Sequence, residues 1–342
     1  MQETAMKKYV FFYAHRQKIS GGLFYFYTLA HQCSSFENCK VYIVNYSNSQ
    51  YTEIFKENND CSNIEFLDYE DENIDSNFDE NTYFITYTNM LPLLLESFKS
   101  VSLGKVFLIN FIPETSKWLT GNLKLKNKKH FSEIFELIKN NNAMAFMDKN
   151  CLDSTVNYSG VEYPSNYIPA FITKTNTDYQ NKNLVSENEI NIGLVCRLDV
   201  DRIQTVINFL NNVYNLETDK KINVHIIGDG THKNRINARK YREKFNLIFT
   251  SYLYGEELKK YISQNIDMMF NFGVAALDIA SMKLPVAIPT YEIQPHEIDK
   301  YYFLFDSKYY NLGCQEELID KYELKTYTIK EIRNVLTDNL PV

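Results

Sequence analysis

Short apolar runs recur along the chain, with stretches of helical spacing between them. In the second half the runs are INIGLVC (190–196), INVHIIG (222–228), NLIFTSYL (246–253), IDMMFNF (266–272) and PVAIP (285–289). They show no polar alternation, the pattern of strands covered on both faces of a parallel sheet. Residues 201–215, 231–244, 256–264 and 275–283 carry apolar positions at helical spacing, so strand and helix alternate as right-handed crossovers require. The first half repeats the rhythm with YVFFYAH (9–15), KVYIVNY (40–46), NIEFLDY (63–69), TYFITYT (82–88), KVFLINF (105–111) and AMAFMD (143–148), with helices expected from Gly22 to about Gln32 and over 130–141. The stretch 173–189, TKTNTDYQNKNLVSENE, has no apolar period and reads as a linker. The expected architecture is α/β: two Rossmann-like doubly wound domains, 1–175 and 190–342, facing a cleft between the carboxyl ends of their strands, where such sheets bind ligands.

Composition narrows the function classes. A length of 342 residues suits two domains of roughly 150 residues each. The 44% hydrophobic and 23% charged content argues against disorder. A net charge of −7 argues against a general nucleic-acid binder. Residues 51–90 hold eleven acids and one base, which leaves the rest of the chain at +3; a solvated loop is the expected home of those acids. No apolar run approaches the roughly 18 residues that span a bilayer. The first apolar stretch is too short for a signal-peptide core before His15 and Arg16 interrupt it. Six cysteines without a CxxC spacing indicate neither a zinc knuckle nor a disulfide framework, and imply a reduced, cytoplasmic protein.

The candidate chemistry sits at strand ends. In NFGVAALDIASMKLPVAIP (271–289), Gly273, Val274, Ala275 and Ala276 could present backbone amides to an anion at a helix start, and Asp278 could hold two ribose hydroxyls. A helix whose small face packs on the sheet, with Asp278 facing the helix dipole, is the alternative. In LVCRLDVDR (194–202), Arg197 and Arg202 could clamp a diphosphate, or pair locally with Asp199 and Asp201. That DxD is set aside as a metal site because the arginines would repel a cation. IIGDG (226–230) makes a tight turn, and Tyr252 and Leu253 could line a base pocket. In the first half Gly21 and Gly22 open a helix and suit backbone contact with a phosphate or sugar, but no GxGxxG supports a nicotinamide dinucleotide site. His15 and Glu114 follow strands and are candidate general bases; a structural histidine and a solvated loop glutamate are the alternatives. Lys117, Trp118, Lys124, Lys126, Lys128 and Lys129 could meet anionic lipid headgroups or form a solvated loop, and the basic segment 233–244 carries the same two readings.

Together these pieces resemble the GT-B glycosyltransferases, particularly the family 4-like enzymes of bacterial surface polysaccharide synthesis. The resemblance covers about 190–313 and is weaker over 9–31. Arg197-Leu198-Asp199 followed by Arg202 resembles the family's GRL-like strand end with its later basic residue, with Cys196 where a glycine is usual. Gly228-Asp229-Gly230 matches its glycine turn. Phe249 to Leu258 resembles F-x-G-x-x-x-x-E-E-L with Ser251 for the glycine. Asp278 to Val286 resembles E-A-M-A-x-G-x-P-V with Lys283 for the glycine, and DSKYYNLG (306–313) is similar to the end of a polysaccharide-synthesis subgroup. The resemblance implies a nucleotide-sugar donor and a glycan or lipid-linked acceptor, with no organic cofactor, no metal and no nucleic acid. It places the diphosphate on Arg197 and Arg202, the ribose on Asp278, phosphate on the amides of 273–276, the base near Tyr252 and Leu253, and Gly21 and Gly22 across the cleft. One departure stands out: Phe270 occupies the position of the first of the family's two glutamates. A catalytically degenerate binding protein and a sugar-nucleotide epimerase are the alternatives, and peripheral contact with the inner face of a membrane is an added expectation.

Overall fold

The computed structural model describes residues 6–14, 21–99, 101–123, 128–172 and 188–337. The chain divides into two compact units, Met1–Ala170 and Phe171–Val342.

The first unit opens with β1 (Lys7–Phe12), α1 (Gly21–Cys33), β2 (Cys39–Asn45), α2 (Gln50–Asn58) and β3 (Ile64–Asp68). It continues through β4 (Thr82–Tyr87), α3 (Leu91–Ser97), β5 (Val106–Asn110) and α4 (Thr115–Asn122) to α5 (Lys128–Asn140), β6 (Met144–Phe146) and α6 (Lys149–Ser159). Its strands make one parallel sheet in the order β3-β2-β1-β4-β5-β6. Val10, Phe11, Phe12, Val41 to Val44 and Leu108 to Ile109 are buried without alternation because helices cover both faces. Helix α1 buries Leu23, Tyr25, Phe26, Tyr27 and Ala30, so it is apolar on most of its circumference.

The second unit runs β7 (Glu189–Val195), α7 (Ile203–Tyr214), β8 (Lys221–Ile227), α8 (Ala238–Arg242), β9 (Asn246–Thr250) and α9 (Gly255–Asn265). Then come β10 (Met268–Phe270), α10 (Val274–Ala280), β11 (Val286–Pro289), β12 (Tyr301–Phe303), α11 (Glu316–Lys321) and α12 (Ile329–Thr337). The sheet order is β12-β11-β10-β7-β8-β9, parallel except for β12, which pairs antiparallel with β11. Leu194, Val206, Phe209, Leu210, Val224 and Ile226 form the main core between this sheet and α7.

Eleven strands fall where the apolar runs predict them. The twelfth, β12, is not among the expected strands; it is three residues long and opens the apolar run YYFLF (301–305) after a polar loop. The helix expected over 231–244 is instead a 3-10 turn, Lys233–Arg235, and the short α8. Ile236 is extended and buried, and the Asn237 side chain accepts the Lys240 amide to start a fresh helix, a local bond that competes with helix continuation. Helix α10 stops at Ala280, and Lys283 beyond it has a φ of 62°. Nor do the acids of 51–90 share one loop. Glu53 and Glu57 lie on α2, Glu65 and Asp68 lie on β3, and Asp68, Asp71 and Asp79 cap turns by accepting the amides of Glu70, Asn73 and Asn81. Most of the linker, 173–187, lies outside the described residues. Among the described residues no helix is long and apolar enough to cross a membrane.

Candidate functional site

The second sheet changes direction between β7 and β10: β8 and β9 extend one side and β11 and β12 the other. Chains leaving β7 and β10 therefore diverge and open a crevice at their carboxyl ends, the usual ligand position in such sheets. Asn271 holds the two ends together. Its Nδ2 donates to the Val195 carbonyl at 2.9 Å and its Oδ1 accepts the Val195 amide at 3.0 Å, so a fully buried side chain extends the ladder where the strands part. An asparagine ending an apolar strand is the only signal the sequence carries for this residue.

The loop after β7 packs directly on the turn after β8. A Cβ on Gly228, whose φ is 134°, would overlap the Cys196 carbonyl oxygen, and one on Gly230 would lie 2.5 Å from the Leu198 carbonyl. Both glycines are needed for this backbone approach. The Leu198 amide donates to the Asp229 carbonyl at 3.0 Å, and the Thr231 amide and hydroxyl donate to Asp199 Oδ1 at 3.1 and 3.2 Å. Tyr252 donates its hydroxyl to the Asp229 carbonyl, and its ring stacks on Tyr254 at 5.9 Å. Leu253 packs against the core under α9 and α10. Cys196 is half-buried against the core, and desolvation pushes its thiol up to about 12, so it is a neutral packing group.

Both arginines of this loop are ion-paired within it. Arg197 reaches Asp199 at 3.3 Å and Asp201 at 3.4 Å, and Arg202 reaches Asp201 at 3.3 Å. The Arg202 guanidinium also lies between the rings of Phe272 and Tyr291, 4.9 and 4.7 Å from their centroids. The local pairing that the sequence allowed is thus the arrangement found. The guanidinium groups keep about a third of their side-chain surface exposed, 32% for Arg197 and 29% for Arg202.

Beyond β10, Gly273 turns the chain with a φ of 66°, and α10 begins. Of the four amides expected to face an anion, two are committed within the protein: Gly273 donates to the Leu312 carbonyl at 2.6 Å and Ala276 to Gly273 at 3.0 Å. Val274 and Ala275 remain as first-turn amides, which a helix leaves without an internal partner. Leu312 belongs to the 306–313 segment, where Tyr309 and Tyr310 take φ values of 56° and 62° and Asn311 bridges Tyr302 and Gly313. Asp278 is half-buried one turn into α10. Burial holds its carboxyl above the ordinary range, with Lys259 opposing the shift and Glu256 adding to it. Among the described residues no donor bonds this carboxylate. Phe270 is 1% exposed and packs between Phe209 and Tyr301, at 4.8 and 5.3 Å, so a core ring stands where the resembling family carries its first glutamate.

The first sheet reverses between β1 and β4. Gly21 and Gly22 begin α1 there, and a Cβ on Gly22 would come within 2.9 Å of the buried Tyr87 hydroxyl. His15 lies outside the described residues, as do Lys124 and Lys126. Glu114 is half-buried at the start of α4, its side chain making no capping bond. Lys117 and Trp118 are exposed on α4, Trp118 by 45%; Lys128 and Lys129 open α5. Beneath α4 lies a buried hydroxyl cluster: Thr155 accepts from Asn110 at 2.8 Å and lies 2.8 Å from Ser116.

No protein-family model matches the sequence, and no curated protein matches it. Solved structures do match. TarM aligns with a TM-score of 0.59 and 11% identity over 99% of this chain and 93% of its own. The apo form of the lipopolysaccharide outer core galactosyltransferase WaaB aligns at 0.54 and 12% identity, covering 82% of this chain and 79% of its own. HepE of Anabaena, solved in complex with UDP, aligns at 0.52 and 10% identity, covering 82% and 80%. The chain has their fold, the GT-B succession of two Rossmann-like α/β units.

Proposed function

We propose that this protein is a glycosyltransferase that moves a sugar from a nucleotide-sugar donor to a glycan or lipid-linked acceptor of a surface polysaccharide. The observation that carries the proposal is Asp278: a half-buried carboxylate at a sheet's switch point, one turn into the helix that starts there, with no hydrogen-bond donor among the described residues. Two ribose hydroxyls would supply the missing donors. Val274 and Ala275 would receive a phosphate oxygen. Arg197 and Arg202 would exchange their aspartate partners for the diphosphate and stabilise the charge that grows on it as the sugar leaves. The stacked Tyr252 would border the base. In this proposal arginine and amides do the work assigned elsewhere to a metal ion, so turnover should be unchanged by EDTA. The fold's likeness to a galactosyltransferase and to a UDP complex supports the same reading.

The test is calorimetric titration with nucleoside diphosphates, followed by donor turnover with and without acceptor glycans. Arg197→Ala should weaken diphosphate binding by about 10- to 100-fold, the worth of charge-assisted hydrogen bonds, with the thermal unfolding midpoint retained. Undiminished binding would remove the clamp. The buried Phe270 motivates a second reading, a degenerate binding protein, which requires nucleotide binding without turnover. Conversion of the donor with no acceptor present would instead indicate an epimerase.

A further inference from the structure

The amino edge of the second sheet, opposite the crevice, carries a feature that strand-forming tendencies do not explain. Asn191, Asn223 and Asn246 stand in register on β7, β8 and β9. Asparagine is depleted in strands, yet these three join in one chain of amide bonds. Asn246 donates to Asn223 at 3.2 Å, Asn223 to Asn191 at 2.7 Å, and Asn191 to the buried Asp267 at 3.0 Å. Each amide is thereby oriented, and the row ends at the exposed Asn246. It floors a cavity of about 290 Å³ completed by His225, Gln264 and Asn265. Burial holds His225 below its usual range, so apart from the apolar Ile248 this cavity is walled by neutral donors and acceptors.

Asn246 also lines a second cavity of about 490 Å³ with the opposite character. Lys220, Lys221, Arg242 and Lys244 surround it, against one carboxylate, Glu243. Lys221 is paired with Glu189 at 2.9 Å. Among the described residues no carboxylate comes within ion-pair distance of Lys220, Arg242 or Lys244. A neutral amide cavity that shares a wall with an unneutralised cationic one complements a ligand bearing both hydroxyls and anionic groups at short intervals. A bilayer surface would use the cations and leave the amide row without a role.

We propose that this edge is a binding site for an anionic glycan chain, the amides taking sugar hydroxyls and the cations its phosphate, sulfate or carboxylate groups. The site lies at the opposite end of the strands from the crevice, and its occupancy is measurable without nucleotide, so it stands or falls separately from the proposed transfer activity. The test titrates the whole chain with dextran sulfate, dextran, linear polyphosphate and phosphatidylglycerol vesicles at low and high salt. Dextran sulfate should bind in a salt-sensitive manner and more tightly than the other three. The double variant Arg242→Ser with Lys244→Ser, at two exposed positions, should weaken it about tenfold. Asn246→Ala with Gln264→Ala should weaken dextran sulfate severalfold and leave polyphosphate unchanged. The proposal is overturned if either double variant binds dextran sulfate as the parent does. It is equally overturned if polyphosphate binds as tightly as dextran sulfate, which marks a general cationic surface, or if vesicles bind and dextran sulfate does not, which marks a lipid contact.

Discussion

The two units build nearly the same sheet and finish its carboxyl edge in different materials. In the first unit aromatic rings fill the switch point. Tyr87 lies 4.8 Å from Tyr13, 5.1 Å from Phe26 and 4.6 Å from Phe111, and Phe111 meets Tyr25 at 4.6 Å. In the second, glycines bring backbone against backbone, and arginines pair with aspartates around them. Ring packing tolerates exchange of one large apolar residue for another of similar volume. A backbone contact that only glycine permits does not. The second edge is therefore written in residue types that recur as motifs, and the first is not.

The largest test of that contrast is Gly228→Ala. The added methyl would overlap the Cys196 carbonyl, at a left-handed φ, and should cost more than about 3 kcal/mol in urea unfolding. Gly22→Ala, whose methyl meets a side-chain hydroxyl and gains helix propensity, should cost less than half as much. Equal costs would break the comparison.

A second test is pH. Asp148 caps α6 by accepting the Cys151 amide at 2.8 Å, and burial pushes its carboxyl up to about 6 from 3.8. An acid with a raised folded pKa is more readily ionised when unfolded, so its ionised form opposes folding. The penalty is absent below pH 3.8, grows as pH rises toward about 6, and is fully present above it. It amounts to about 3 kcal/mol. Asp148→Asn, which keeps a capping oxygen, should remove this slope, so the stability difference between variant and parent widens from pH 4 to pH 7. A constant difference would show that the carboxyl is not perturbed.

The smallest expected effect sharpens the motif itself. Lys283 sits at a φ of 62° just past α10, where the resembling family carries glycine. Lys283→Gly should stabilise the second unit by about 1 kcal/mol by relieving the left-handed strain, read from the thermal midpoint. No gain would mean that the lysine side chain contributes a compensating contact.

The periodic apolar runs, by themselves, determined the strand and helix rhythm, two α/β units and the loops of 194–202, 226–230 and 271–283, because burial on both faces of a sheet and backbone clearance each demand particular residue types. Three things only the tertiary structure decided. β12 pairs antiparallel with β11 at the edge of an otherwise parallel sheet, a pairing that its own residues do not specify. The helical spacing of 231–244 yields to a buried Ile236 and the Asn237 cap. And the partners of polar groups depend on which strands become neighbours: Asn271 finds Val195, and Asn191 finds Asn223 and Asp267, while among the described residues no donor bonds the Asp278 carboxylate. Sequence spacing specifies which face a residue takes along its own strand or helix. Pairing across strands is set by sheet order, and that order exists only once the chain has folded.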